Sequence, residues 1–233
     1  MWESEVDGKK LTFHLAGINN QNFIMRDEET GTWWQQVSGE AMHGPLKGKK
    51  LTRVDNDELT FALWKRENRQ GRVLKPDERV KQNYEAPDWE AQYAKFRVVT
   101  PVDPNDKLSP RTLIAGLVVN GRALAYPLPA LEKQRLILGP VGVTPIFIVL
   151  GDDNKSVRAF ERTVDGRTLE FYVKPGTSPV QLTDETATTW DFNGKAVSGP
   201  LAGKQLKKIF ALKDYWFDWK IYHPDTTVYT LGE

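Results

Sequence analysis

The chain has 233 residues, 39% of them hydrophobic and 27% charged, with a formal net charge of +1. This is enough chain to bury a substantial core, but the charge gives no electrostatic case for nucleic acid or an anionic membrane surface. No apolar run approaches the roughly 20 residues of a membrane helix, and the absence of cysteine excludes disulfides, thiolate nucleophiles and Cys-ligated metals.

Residues 1–15 lack both the basic start and the apolar stretch of a secretion signal. Asp7-Gly8 is a hairpin turn signal, because glycine supplies the positive φ that such turns need. Leu11, Phe13 and Leu15 then alternate with polar residues, the period of a half-buried strand. Trp33 and Trp34 offer large surfaces to a core, and Gly44-Pro45-Leu46-Lys47-Gly48 marks a tight turn. Leu59, Leu63 and Trp64 predict a helix over Asp57–Arg69 behind an acidic cap. Residues 76–110, rich in proline and charge, read as a connector with a short helix over Asp88–Phe96. Strands are predicted at Leu113–Val119, Ala123–Tyr126, Ile146–Leu150 and Val157–Phe160, the first two joined by an Asn120-Gly121 turn. A last helix is predicted over Lys213–Tyr222, stopped by Pro224.

Two parts of this pattern match each other. Val6-Asp7-Gly8 through Phe13 resembles Val164-Asp165-Gly166 through Phe171, and Gly39 through Leu51 resembles Gly194 through Leu206. Trp64-Lys65 and Trp219-Lys220 keep the offset of the second block. Self-similarity in a fixed order points to a repeated structural unit. The expected fold is mainly β, a β-rich α+β chain of two related units with a few short helices. Residues 1–75 form the first unit, 76–110 the connector and 111–233 the second unit with a strand preamble. The first unit has no such preamble, so it is expected to be truncated at its amino-terminal side.

The block from Asp27 to Leu51, with its Trp34-Gln35-Gln36-Val37-Ser38-Gly39-Glu40-Ala41 core, is distinctive. Together with Trp64-Lys65 and Ala123-Leu124-Ala125-Tyr126-Pro127-Leu128, it resembles a bacterial family of uncharacterised proteins, the domain of unknown function 3179. The resemblance implies a β-rich unit, often exported or periplasmic, with no established activity to carry over. It also implies a Cys-Pro-x-Cys-type segment before the Asp-Gly hairpin, which this sequence lacks around Ile146–Asp152.

The nucleophile signatures are missing: there is no Gly-x-Ser-x-Gly, and Ser38 and Ser198 stand in repeated turns. Where two copies share a scaffold, polar groups present in one copy are the better site candidates. Glu40 and His43, replaced by Lys195 and Ser198 in the second copy, are therefore candidate catalytic residues, as base and proton partner. A solvated acid and a locally bonded histidine account for the same pair. Asp27 is the candidate metal ligand, with Ca²⁺ the ion its oxygen-rich neighbourhood would suit; a solvated hairpin tip explains that neighbourhood as well. Trp34 and Gln36 form a candidate ligand-stacking platform if exposed, and core if buried. The leading expectation is a ligand-binding or interaction module with a small-molecule partner. The alternative is a metal-assisted hydrolase of an ester or lactone using carboxylate and histidine chemistry, and the residues leave catalysis itself open.

Overall fold

The computed structural model describes residues 1–19, 22–141 and 144–231. Strands β1 (Glu5–Val6) and β2 (Lys9–Lys10) form a hairpin whose turn residues Asp7 and Gly8 both have positive φ, as the twist of a two-residue turn requires. Strands β3 (Phe13–Asn19), β4 (Asn22–Asp27), β5 (Trp33–Gln35) and β6 (Ala41–His43) follow as an antiparallel meander in chain order. Helix α1 (Phe61–Glu67) starts four residues later than predicted. The cap is Thr60, whose hydroxyl accepts from the Leu63 N–H, while Asp57 is drawn into ion pairs with Arg158 and Lys208.

The connector is largely exposed and holds a 3₁₀ turn at Glu78–Asn83 and α2 (Trp89–Tyr93). Strands β7 (Leu113–Val119) and β8 (Arg122–Pro127) fall on the predicted strands Leu113–Val119 and Ala123–Tyr126, on either side of the Asn120-Gly121 turn. Between β8 and the next predicted strand stand two elements that were not predicted, α3 (Leu128–Gln134) and β9 (Leu136–Val141). Strands β10 (Thr144–Leu150) and β11 (Val157–Glu161) complete the preamble; Val143, which heads the apolar run into β10, lies outside the described residues. A second hairpin, β12 (Thr163–Val164) and β13 (Arg167–Thr168), leads into a second meander. Its strands are β14 (Phe171–Val173), β15 (Gln181–Asp184), β16 (Thr189–Asp191) and β17 (Ala196–Ser198). The chain ends through β18 (Lys208–Ile209), β19 (Ala211–Tyr215), α4 (Trp216–Tyr222) and β20 (Thr227–Val228). The first three residues of the predicted last helix, Lys213–Tyr215, are thus strand, because residues 211–215 pair with β7.

Two four-stranded sheets, β18-β11-β10-β9 and β19-β7-β8-β20, build a central body around Leu117, Leu131, Ile146, Ile148 and Leu150. Strand β10 is buried on both faces. Ile146, Ile148 and Leu150 point into that core, while Phe147 and Val149 point into a second core with Phe171, Leu182 and Trp190. A strand covered on both sides reads as a continuous apolar run. The second hairpin and meander occupy the chain between β11 and β18, which pair directly. No helix among the described residues is long and apolar enough to cross a membrane.

The two meanders share their geometry pair by pair. Phe13, His14 and Leu15 face Asp27, Arg26 and Met25, in the register in which Phe171, Tyr172 and Val173 face Asp184, Thr183 and Leu182. Trp34 lies opposite Ala41 and Trp190 opposite Ala196, each beside a register shift. Helix α4 begins and ends 155 positions after α1. Yet α1 packs its Leu63 into the core of the second meander, whereas α4 hydrogen-bonds to the first.

Candidate functional site

Asp27 ends β4 and is fully buried, as is Trp34 beside it. The indole N–H of Trp34 donates to one carboxylate oxygen at 2.7 Å, and the Thr30 N–H and hydroxyl donate to the other at 2.6 and 2.8 Å. Burial works to raise this carboxyl's pKa, and the bonds from Trp34 and Thr30 overcome it, leaving Asp27 below the usual carboxylate range. Asp184, Thr186 and Trp190 repeat the arrangement, with the indole at 2.8 Å. Glu29 accepts from the Thr12 N–H and Glu185 from the Glu170 N–H. The acidic tips therefore close hydrogen bonds of the scaffold in both meanders. No group of three or more His, Asp or Glu side chains among the described residues is placed to hold a metal ion.

The other residues singled out from the sequence lie apart. Trp34 is core. Gln36 is exposed, and its backbone carbonyl accepts from the Trp2 indole at 2.6 Å. Glu40 is exposed and meets Lys50 at 3.4 Å, while His43 is exposed at the end of β6. No hydrogen bond or ion pair joins Glu40 to His43 among the described residues, and the structure does not gather these two with Asp27 in one cleft.

A different cluster does bring polar groups together. Asp214 at the end of β19, with Asp218 and Tyr222 on α4, stands at the junction with the first meander. The Asn22 side-chain amide donates to Asp218, and the Gln35 amide donates to the Tyr222 hydroxyl at 2.9 Å. Both partners come from strands β4 and β5. Burial pushes the Asp214 carboxyl up to about 8, and the charges of Asp218 and Glu58 add to that push against the Tyr215 N–H. Asp218 is raised to about 6 by burial, which the bond from Asn22 only partly offsets. Tyr222 is raised as well, first by burial and then by the Asp218 charge. Two adjacent carboxyl groups with displaced pKa values are the usual mark of a polar working site.

Alignment of the two similar stretches points to this cluster. At the shared offset, Asp214 in β19 stands where Leu59 precedes α1, and Asp218 in α4 stands where α1 has Leu63. Leu63 is 2% exposed in the second meander's core. Two apolar positions at one junction are thus two carboxyls at the other. The same comparison was applied only to the turn that carries Glu40 and His43, so it missed the helix.

The α1 junction is chemically different. A cleft of about 370 Å³ there is lined by Asp57, Trp64, Glu67 and Arg158 among others. The Arg158 side chain is 2% exposed and is bonded bidentately to Glu67 at 2.7 and 2.8 Å and to Asp57 at 2.7 and 2.9 Å. Lys208 adds a contact to Asp57 at 2.8 Å. The buried cation is fully matched by carboxylates, so this junction clamps α1 to β11 and offers little charge to a ligand.

Searches among curated proteins and among solved structures gave no match. The family model described as a protein of unknown function, DUF3179, matches residues 1–226. With nearly its whole length covered, the chain belongs to the DUF3179 family.

Proposed function

We propose that the protein is a binding module and that its binding surface is the junction between the first meander and α4. The observation that carries this reading is that Asp214 and Asp218 stand, at the shared offset, where Leu59 before α1 and Leu63 within it stand, and that Asp218 accepts from the Asn22 amide while Tyr222 accepts from the Gln35 amide. Near neutral pH, with pKa values of about 8 and about 6, the pair keeps one proton and carries close to one negative charge. It therefore offers a donor and acceptors together and suits a ligand that carries a single positive charge.

The test is a titration of the whole protein with hexylamine and with hexanol at pH 7, followed by amide chemical shifts. The amine should move the Asn22, Gln35 and Tyr222 resonances, and Asp218→Asn should abolish the response. Equal responses to amine and alcohol, or shifts elsewhere on the protein, refute the assignment.

A second reading draws on the same pair. Carboxyl groups held near 8 and near 6 are matched to general acid and general base work, with Asp214 as acid and Asp218 as base in hydrolysis of an ester or lactone. A panel of such substrates decides it: turnover must fall with Asp218→Asn and keep a bell-shaped pH profile in the wild type.

A further inference from the structure

The two meanders are attached to the central body in different ways. The second shares its core with it, since Phe147 and Val149 of β10 and Leu63 of α1 pack with Phe171, Leu182 and Trp190. The first keeps a core to itself. That core runs from Val6 to Leu51 around Trp34 and draws in Trp2, Phe13, Met25 and Leu46, all of them between residues 2 and 51. Phe13 and Met25 remain half-exposed, and Phe23 is exposed. What crosses to the body, among the described residues, is polar or charged. Asn22 donates to Asp218 and Gln35 to the Tyr222 hydroxyl, and the Arg53 guanidinium lies 4.7 Å from the centre of the Phe210 ring. Among the described residues, no backbone hydrogen bond, strand pairing or ion pair joins residues 1–54 to residues beyond 56. Ile24, on the same face of β4 as Asn22, is buried, yet it belongs to none of the apolar clusters of the described residues. Segments with so few apolar contacts to their surroundings are the ones that open first.

The covalent link is short and its two ends are fixed. The Val54 N–H donates to the Met1 carbonyl at 3.0 Å, which makes Val54 part of the meander. Asp57 belongs to the body through Arg158 and Lys208. Asp55 and Asn56 lie between them, outside any helix or strand. Their side chains accept from the meander only, from Arg53 and from the Met1 amino group. Hinges are made of a few such loop residues, which absorb a change of φ and ψ.

We infer that residues 1–54 form a hinged module that swings off α4 about Asp55 and Asn56, and that ionisation of Asp218 releases it. The closed junction gives this carboxyl one amide donor, from Asn22, and no cation in direct contact. Burial raises Asp218 to about 6 in spite of that bond, and departure of the meander admits water. Closure is therefore favoured at low pH and weakens as pH rises through about 6. The groups around Asp218 do not supply the missing charge. Asp214 of β19 is a second buried carboxyl, and Lys213 is paired with Glu58 at 2.8 Å. On α4, Lys220 is bonded to Asp106 of the connector, Tyr222 accepts from Gln35, and His223 packs its ring against Trp219. On the face of the meander that carries Asn22, Arg26, His14 and His43 share one cross-strand row farther along the sheet, and all three are exposed. No ligand at the junction is needed for this opening.

The chain has no cysteine, so spin labels can be placed by Lys47→Cys on the meander and Lys155→Cys on the body, both exposed positions. Pulsed dipolar distance measurements on the whole protein should show the closed distance and a second one. The share of the second relative to the first should rise about tenfold between pH 5 and pH 8. Asp218→Asn keeps an acceptor for Asn22 without the charge and should abolish that rise. Gln35→Ala removes the other crossing hydrogen bond and should raise the second share about fivefold at both pH values. A control pair, Lys155→Cys with Lys195→Cys, should keep one distance throughout. A single unchanged distance at both pH values, in the wild-type background and with Gln35→Ala, overturns the hinge. A rise that survives Asp218→Asn overturns the part assigned to that carboxyl, and spreading of the control pair would mean unfolding and overturn both. Opening without hexylamine binding refutes the ligand reading alone; hexylamine binding without opening refutes the hinge alone.

Discussion

The indole N–H of Trp34 is held at 2.7 Å by the buried carboxylate of Asp27, and neither residue is exposed to solvent. Asp184 and Trp190 do the same at 2.8 Å in the other meander. Each pair ties the end of one strand to the middle of the next, so the turn between them is set by a charge-assisted bond. Asp27→Ala leaves the indole donor and the Thr30 donors without their acceptor. It should lower stability by about 2–3 kcal/mol, the scale for losing a buried bond to a charged group, in urea unfolding at pH 7. Because the Asp27 pKa is lowered in the fold, the wild-type advantage should be present above the ordinary carboxylate range and vanish as pH falls below it.

Asp214 and Asp218 predict the opposite slope. Their folded pKa values, about 8 and about 6, lie above the ordinary carboxylate value of 3.8, so between pH 4 and pH 8 the unfolded chain binds fewer protons than the folded one. Their contribution to stability is complete below pH 4 and is lost as pH rises through about 6 and then about 8. Asp214→Leu should therefore stabilise the protein at pH 7, by about 2–4 kcal/mol, with little effect at pH 4. Melting curves at the two pH values check this. A variant that gains stability equally at both would remove the protonation argument.

The meanders were legible in the sequence because their information is local. Asp-Gly turns, the alternation of Leu11, Phe13 and Leu15, and the Gly-Pro-Leu turns each specify a few residues, and the structure has them where they were expected. Strand β19 was hidden because Ala211–Tyr215 owes its extended form to pairing with β7, almost a hundred residues earlier, and α4 follows it without a polar cap. Helix α3 has only two turns and begins behind Pro127, a position that carries no capping side chain to announce it. The candidate site was hidden for a related reason. Asp214 and Asp218 look like solvated polar positions until the fold buries them and brings the Asn22 amide onto Asp218. Trp34, by contrast, had to be core or platform, and only the burial of its Asp27 partner decides for core.

Arg158 offers a test of how α1 is attached. Its guanidinium is 2% exposed and satisfied by Asp57 and Glu67, which flank α1. Arg158→Ala would leave Glu67 without its partner and Asp57 with Lys208 alone, and breaking a buried pair in this way costs about 3–5 kcal/mol. Arg158→Met with Glu67→Leu removes the charge from both sides and should recover much of that loss, a non-additivity read directly from a double-mutant cycle. High salt should not mimic Arg158→Ala, since buried pairs are screened weakly. Equal sensitivity to salt would mean that the cluster is open to water.

Gly39 and Gly194 occupy the same turn in the two meanders, with φ of 71° and 78°. Each lies under an aromatic ring: a Cβ on Gly39 would come within 2.8 Å of Trp2, and one on Gly194 within 2.5 Å of Phe160. The left-handed backbone alone makes alanine unfavourable by about 1 kcal/mol at both sites. The rings then separate the two cases. Trp2 is half-exposed and can swing away, while Phe160 is 1% exposed and packed against Phe147 at 5.3 Å between centroids. Overpacking a ring that cannot move adds about 1–3 kcal/mol. Gly194→Ala should therefore destabilise the protein by about 2–4 kcal/mol and Gly39→Ala by only about 1–2 kcal/mol in the same urea titration. Equal losses would show that the first meander holds its ring as rigidly as the second, and that its smaller core is tighter than the exposure of Phe13, Met25 and Phe23 indicates.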